Sequence, residues 1–306
     1  MSGFEVLNGG VLSTIQDLGR VGLAHSGISE AGVLDELSYG YLCKLLENDF
    51  GANALEIAFG GLKLRVKGEV VFALSGATVE IKLNNKPIKM YKTYNAKDGD
   101  VLEVGFVTSG ARVYLGVKGG FEVEQEFGSS SVSLKEGIGG RAIKRGDFLE
   151  FKPSRSSYSC YLKKEFQPKF ETPIELRVVK AYQWDMFEDS QKEKFFNNTY
   201  EVTNQNDRMG YRLKGEKVFP LSGGIISEGI AYGAIQIPPH GEPIILLKER
   251  QTIGGYAKIG SVIRVDCFKL AQAKQGDKVK FRLVELAEAQ KSCKKFNNFF
   301  SQKVIR

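Results

Sequence analysis

The side chains best able to do chemistry crowd into residues 207–266, where Asp207, Arg208, Arg212, Glu228, Gln236, Arg250, Gln251 and Tyr256 are interleaved with glycines and strand-forming apolar residues. A guanidinium holds an anion through two parallel hydrogen bonds, and a carboxamide offers a donor beside an acceptor. A carboxylate becomes a useful general base once desolvated, which makes Asp207 and Glu228 the candidate bases. Gly254 and Gly255 leave room for a close ligand, and Tyr256 behind them would line its pocket. Each residue also has a plainer reading. The arginines pair with Asp207, Glu228 or Glu249, the glutamines bond along a ladder edge, and Tyr256 fills the core behind a turn. His240, in P-P-H-G, reads as a surface turn residue.

These residues need a β scaffold, and the pattern supplies one. Residues 244–247 form a short buried strand bounded by Pro243 and by the polar cluster at 248–251, so function is expected at the strand's exit. Residues 4–7 and 11–15 also read as strands, as do A-L-E-I-A-F, L-K-L-R-V, V-V-F-A-L and A-R-V-Y-L-G-V. Helical spacing starts near Leu34, with Asp35 in the opening turn where a carboxylate favours the exposed amides. Residues 184–196 read as a second helix.

Three segments, A-K-D-G-D-V-L-E-V, I-K-R-G-D-F-L-E-F and A-K-Q-G-D-K-V-K-F, each place a Gly-Asp turn before an alternating strand. A second echo pairs G-R-V-G-L and S-G-I-S-E-A-G with D-R-M-G-Y-R and S-G-G-I-I-S-E-G-I. The expected organisation is therefore two related β modules at 1–155 and 170–284. K-P-S-R-S-S-Y-S and the following K-K-E-F-Q-P-K-F-E-T-P are the linker candidate. Residues 285–306 make a helical or disordered tail whose apolar side includes Leu286, Ala289 and Phe296.

Composition agrees with this class. The chain has 35 glycines in 306 residues, above the usual share of about 7%, as a turn-rich, mainly β protein with few helices requires. Its formal charge of +7 comes from scattered lysines, clustered only around Lys291, Lys294 and Lys295, which argues for an anionic substrate or acidic partner rather than nucleic acid. No signal pattern or spanning apolar run is present in the sequence, so a cytoplasmic location is expected. Cys43, Cys160, Cys267 and Cys293 lack metal-ligand spacing, and His25 and His240 stand far apart, so no metal site is expected. Cys43 and Cys267 read as buried reduced thiols. No G-x-S-x-G elbow or G-x-x-x-x-G-K-[ST] phosphate loop occurs.

T-I-Q-D-L-G-R-V-G, G-I-S-x-x-G-V-L-D, F-G-S-S-S with its following G-I-G-G, D-R-M-G-Y-R-L, S-E-G-I-x-x-G-A-I-Q-I-P-P-x-G and E-R-Q-T-I-G-G-Y-A-K-I run in order over about residues 4–283. Together they resemble the family of the 5-oxoprolinase C subunit, also called KipA, allophanate hydrolase subunit 2-like, or biotin-dependent carboxyltransferase domain. The chain departs from it at Val132, where relatives often carry threonine.

The resemblance implies two cyclophilin-like β-barrel domains and a composite enzyme in which a KipI-like B subunit joins a LamB-type A subunit. It implies ATP-dependent opening of the lactam 5-oxo-L-proline to L-glutamate. Phosphorylation of the lactam oxygen would create a leaving group and build negative charge, for which Arg208, Arg212 and Arg250 are the candidates. Arg250→Ala is then expected to abolish turnover without unfolding the chain. Gln236 and Gln251 would bond the lactam or its carboxylate, and Arg20 and Asp35 match the family blocks in the first module. With no phosphate loop here, ATP contacts are unconventional or lie on a partner protein, and no biotin-carrier segment is present. Two other readings stay open: a carboxyltransferase half acting on carboxybiotin, and a non-enzymatic regulator that binds a KipI-like protein.

Overall fold

Gly99, Gly146 and Gly276 sit in three turns built alike, at φ of +84°, +91° and +91°, a region that glycine enters without a Cβ penalty. The aspartate after each glycine accepts from the amide of a lysine upstream: Asp100 from Lys97, Asp147 from Lys144 and Asp277 from Lys274, at 2.8, 2.8 and 2.7 Å. Each glycine amide donates to a valine carbonyl, of Val66, Val6 and Val202 respectively. The repeated G-D segments therefore fold as one recurring turn that launches a strand.

The computed structural model describes residues 1–301. Met1–Arg20 and Ala31–Phe170, with Phe300, form one compact unit; Val21–Glu30 and Glu171–Phe299 form another. The first contains strands β1 (Gly3–Gly9), β2 (Leu12–Gln16), β3 (Ala54–Ala58), β4 (Leu62–Lys67), β5 (Val70–Leu83), β6 (Lys86–Ile88), β7 (Thr93–Ala96), β8 (Val101–Val117) and β9 (Phe148–Glu150). They make one nine-stranded sheet in which the long β8 pairs with β3, β4 and β5. Phe4, Leu55, Leu64, Phe72, Leu102 and Leu115 lie in its core, all fully buried. Helix α1 (Glu36–Leu46) packs Tyr39, Leu42 and Leu46 into a neighbouring cluster with Ala73 and Tyr114.

The second unit contains β10 (Ile174–Lys180), α2 (Asp189–Asn197), β11 (Thr199–Asn206), β12 (Gly210–Lys214), β13 (Glu228–Gly229), β14 (Ala234–Ile237), β15 (Ile244–Leu246), β16 (Ile253–Gly254), β17 (Ala257–Val262), α3 (Arg264–Leu270) and β18 (Lys278–Leu283). Seven strands close a barrel in the order β10-β17-β14-β15-β12-β11-β18. Alternation along these strands buries Val178, Tyr200, Tyr211, Ile235, Ile245, Ile259 and Phe281. The mainly β class and the paired β modules agree with the sequence; the second module closes fully, and the first is a half-barrel sheet.

Three elements differ from expectation. The helix expected over 184–196 is split: a 3-10 turn at Trp184–Met186 gives way to extended Phe187 and Glu188 before α2 starts. Phe187 is thereby placed in the core, 1% exposed. The expected linker is laid against the first unit, where Ser154 Oγ accepts from the Val71 amide and the Leu162 amide donates to the Tyr91 carbonyl. The last helix, α4 (Leu286–Ser301), buries Ala289 and Phe296 as expected but leaves Leu286 60% exposed. The expected tail beyond Ser301 lies outside the described residues.

Candidate functional site

Across β12, β15, β14 and β17 the register sets Arg212 opposite Ile244, Ile244 opposite Gln236, and Gln236 opposite Lys258. Neighbours Tyr211, Ile245, Ile235 and Ile259 point into the barrel, so this row occupies its outer face. A two-stranded ribbon, β13 with β16, lies over the row and sets Glu228 opposite Gly254. Ile230, just after β13, packs with Ala234, Ile244 and Leu246 and pins the ribbon to the barrel.

Under the ribbon the polar groups converge on one carboxylate. Lys258 Nζ stands 2.7 Å from Glu228 Oε1, and Gln183 Nε2 donates to the same oxygen at 2.8 Å. The lysine side chain is 6% exposed and the glutamate's 39%, so the cation is enclosed while the carboxylate faces outward. The hydrogen bond from Lys258, then that from Gln183, holds the Glu228 carboxyl below its ordinary range. Glu228 is thus an anion at neutral pH, held by two donors rather than desolvated.

Two buried polar atoms beside this pair have no hydrogen-bond partner: Gln236 Nε2, a donor, and Gln183 Oε1, an acceptor. A Cβ on Gly254 would come within 2.9 Å of Gln236 Nε2 and 2.8 Å of Ile230 Cδ1. The glycine therefore lets the ribbon backbone lie directly on the glutamine, the close approach expected of it.

Most other expected site residues are occupied elsewhere. Arg250 donates to Glu30 Oε1 at 2.8 Å, to the Ile230 carbonyl at 2.8 Å and to the Leu247 carbonyl at 3.2 Å, which makes it a strut for the Val21–Glu30 segment. Arg208 pairs with Glu249. Arg20, 2% exposed, donates to the carbonyls of Glu126 and Ser131. Asp35 caps α1, accepting from the Leu37 and Ser38 amides at 3.1 and 3.0 Å. Asp207 is exposed and accepts from the Met209 and Gly210 amides at 2.8 and 3.1 Å. In these five a turn, a cap, backbone carbonyls or an ion pair already engages the group. Gln251 and Tyr256 are exposed, and the Gly255 carbonyl accepts from the Ile225 amide. Arg212 keeps its place in the row, half-buried, and among the described residues its guanidinium makes no ion pair.

Lys258 and Gln183 carry the site and were not singled out in the sequence. The readable signal for Lys258 was a lysine amid the buried run A-K-I-G. In the first unit the Q-D-L-G-R and F-G-S-S-S motifs meet at Asp17, which accepts from the hydroxyls of Ser129, Ser130 and Ser131 and from the amides of Gly19 and Ser130. Burial alone would raise this carboxyl, but those donors bring it below its ordinary value. A shallow pocket of about 300 Å³ beside it is lined by Ser130, Val132, Gly139, Arg141 and Asp147 among others. Val132 is 3% exposed and packs in the core.

The donor set combines an enclosed cation, already paired with Glu228, with Arg212 on the same row. Among the described residues no helix is long and apolar enough to cross a membrane, and no cluster of three or more His, Cys, Asp or Glu could hold a metal.

Comparison with known proteins places this geometry in context. A model of the carboxyltransferase domain, subdomains A and B, matches residues 26–283. The C subunit of 5-oxoprolinase from Haemophilus influenzae is 35% identical over 95% of this chain and 94% of its own length. That of Escherichia coli is 33% identical over 97% and 96%. Among solved structures, K. lactis urea amidolyase superposes with a TM-score of 0.90 at 29% identity, covering 99% of this chain but 20% of that one.

Proposed function

This chain belongs to the carboxyltransferase-domain family that includes the C subunit of 5-oxoprolinase, and we infer that it works as the C subunit of such an enzyme, opening 5-oxo-L-proline to L-glutamate. The observation that carries this reading is identity of 33 to 35% over nearly full length with two curated proteins of that name.

In this reading the chain acts in a cytoplasmic assembly, where a KipI-like B subunit joins it with a LamB-type A subunit. ATP is taken up by a partner protein, because Lys258, the enclosed cation of this site, is already paired with Glu228. This chain's share is to bind and orient the lactam: Lys258 supplies positive charge beside the carbonyl oxygen as it becomes more negative, and Glu228 holds the lysine in place. Arg212, on the same row, is the remaining candidate for an anionic group of the substrate.

The experiment is release of glutamate and ADP on addition of 5-oxoproline, by the chain alone and by the chain co-purified with its partners. Release by the assembly only is the expected result. A stable assembly that releases neither overturns the reading. Likeness to urea amidolyase favours a second reading, a carboxyltransferase half acting on a biotin-borne carboxyl group; avidin-sensitive activity would select it.

A further inference from the structure

Two enclosed donors meet on a carboxylate that is not itself enclosed. Lys258 Nζ and Gln183 Nε2 stand 2.7 and 2.8 Å from Glu228 Oε1. Both donor residues are 5% exposed, whereas the Glu228 side chain is 39% exposed. A buried cation needs an anion against it, but it does not specify which molecule carries that anion. The two donors are therefore a carboxylate receptor that the chain fills with a side chain of its own.

That side chain belongs to a lightly anchored element. β13 and β16 share two residue pairs, and their members besides Glu228 are Gly229, Ile253 and Gly254, whose side chains form no polar bond. Glu228 thus supplies the ribbon's side-chain hydrogen bonds to the residues beneath it, with Ile230 packed just behind. Ile226 and Ile253 are 94% and 64% exposed, so the ribbon gains little from apolar burial on its outer side. A Cβ on Gly229 would meet nothing within 4 Å. Below Gly254 lies Gln236 Nε2, a buried donor that finds no acceptor among the described residues and that Glu228 leaves unused.

We propose that Glu228 is the internal occupant of a carboxylate-binding site: a small free carboxylate takes its place on Lys258 and Gln183, and the ribbon of β13 and β16 then lifts from Gln236. The room required is that of the Glu228 carboxylate itself. Gln236 Nε2, once uncovered, is a third donor for the incoming anion, which gives that anion the preference for the lifted form that a population shift requires. Neutral ligands have no charge to exchange and leave the ribbon closed. An ammonium has three hydrogens to donate, so a carboxylate in place of Glu228 leaves Lys258 able to meet a carbonyl oxygen as well. The exchange holds whichever reaction the chain serves.

Chemical rescue of the full chain tests this. In Glu228→Ala the receptor loses its occupant, and sodium formate or acetate is expected to raise the melting temperature saturably, where sodium chloride at equal ionic strength does not. Adding Lys258→Met to Glu228→Ala should abolish that rise. In the natural chain, acetate should speed deuterium exchange over residues 225–230 and 252–255 severalfold while β14 and β17 keep their rates. This second measurement needs no variant, so it stands even where Glu228→Ala fails to fold. Equal rescue by chloride, rescue that survives Lys258→Met, or none by either carboxylate overturns the proposal. So does ribbon exchange that acetate leaves unchanged or speeds together with the barrel strands.

Discussion

Lys258 Nζ and Glu228 Oε1 form a 2.7 Å ion pair of unequal halves, the cation enclosed and the carboxylate 39% exposed. Removing the exposed partner strands the enclosed charge, whereas removing the lysine releases a carboxylate to water. Glu228→Gln is therefore expected to cost about 1–2 kcal/mol of stability, discounted for the exposure of the carboxylate, and Lys258→Met less. Urea unfolding of both variants and the double variant measures this. Equal costs would show that the asymmetry of burial has no energetic weight. Turnover in the assembly should fall in both.

Arg250→Ala gives a different expectation from the one its residue type invites. The guanidinium has bonds to Glu30, Ile230 and Leu247, so its loss should lower stability by about 1–3 kcal/mol. Arg250→Lys should fail to restore it, because an ammonium lacks the planar fork. A variant with unchanged melting temperature and no turnover would return Arg250 to the catalytic list.

How much of this was legible depends on the range of the interaction. The Gly-Asp turns were readable because the aspartate and the amide it accepts from lie within one short segment. Asp35 was readable as an opening-turn carboxylate for the same reason. The partner of Arg250 was not readable, because Glu30 is 220 residues away in sequence. The row of Arg212, Gln236 and Lys258 exists only once register is set, and a one-residue slip would turn every member to the other face. Gln236 could be named from its strand, but its orphaned donor is a property of what covers it. The break at Phe187 was hidden because its burial in the core overrides the helical spacing around it.

Gly139 takes φ of +75°, and a Cβ there would meet the Ser131 carbonyl oxygen at 2.2 Å. Gly137 takes φ of +68° with nothing within 4 Å. Gly137→Ala should cost about 1 kcal/mol of backbone strain, and Gly139→Ala roughly 2 kcal/mol more, since the carbonyl also binds Arg20 and cannot withdraw freely. Comparable melting temperatures for the two would mean that the serine loop shifts without loss.

Asp266, fully buried, contributes to the response to acid. Burial by itself would raise its carboxyl, but hydrogen bonds from the Arg177 side chain and amide, and then from Lys269, bring it below the ordinary 3.8. Because the folded value is the lower one, its stabilisation is present above about pH 4 and is lost as pH falls through the folded value. Asp266→Asn should be less stable than the natural sequence at pH 7, with the difference narrowing below pH 4. A difference that stayed constant down to pH 2 would remove Asp266 from the acid transition.

Thiol reactivity offers a test of the first unit's packing. Cys43 lies in α1, 3% exposed, and burial pushes its thiol up to about 11. At pH 8 its thiolate is then roughly one part in a thousand, and the thiolate is the reacting species. Cys267 is buried as well, while Cys160 and Cys293 are half-buried. Maleimide at pH 8 should therefore label Cys160 and Cys293 first and reach Cys43 and Cys267 only with denaturant. Modification of Cys43 at the rate of Cys160 in the folded protein would mean that α1 opens from the sheet far more often than its enclosed Tyr39 and Leu42 allow.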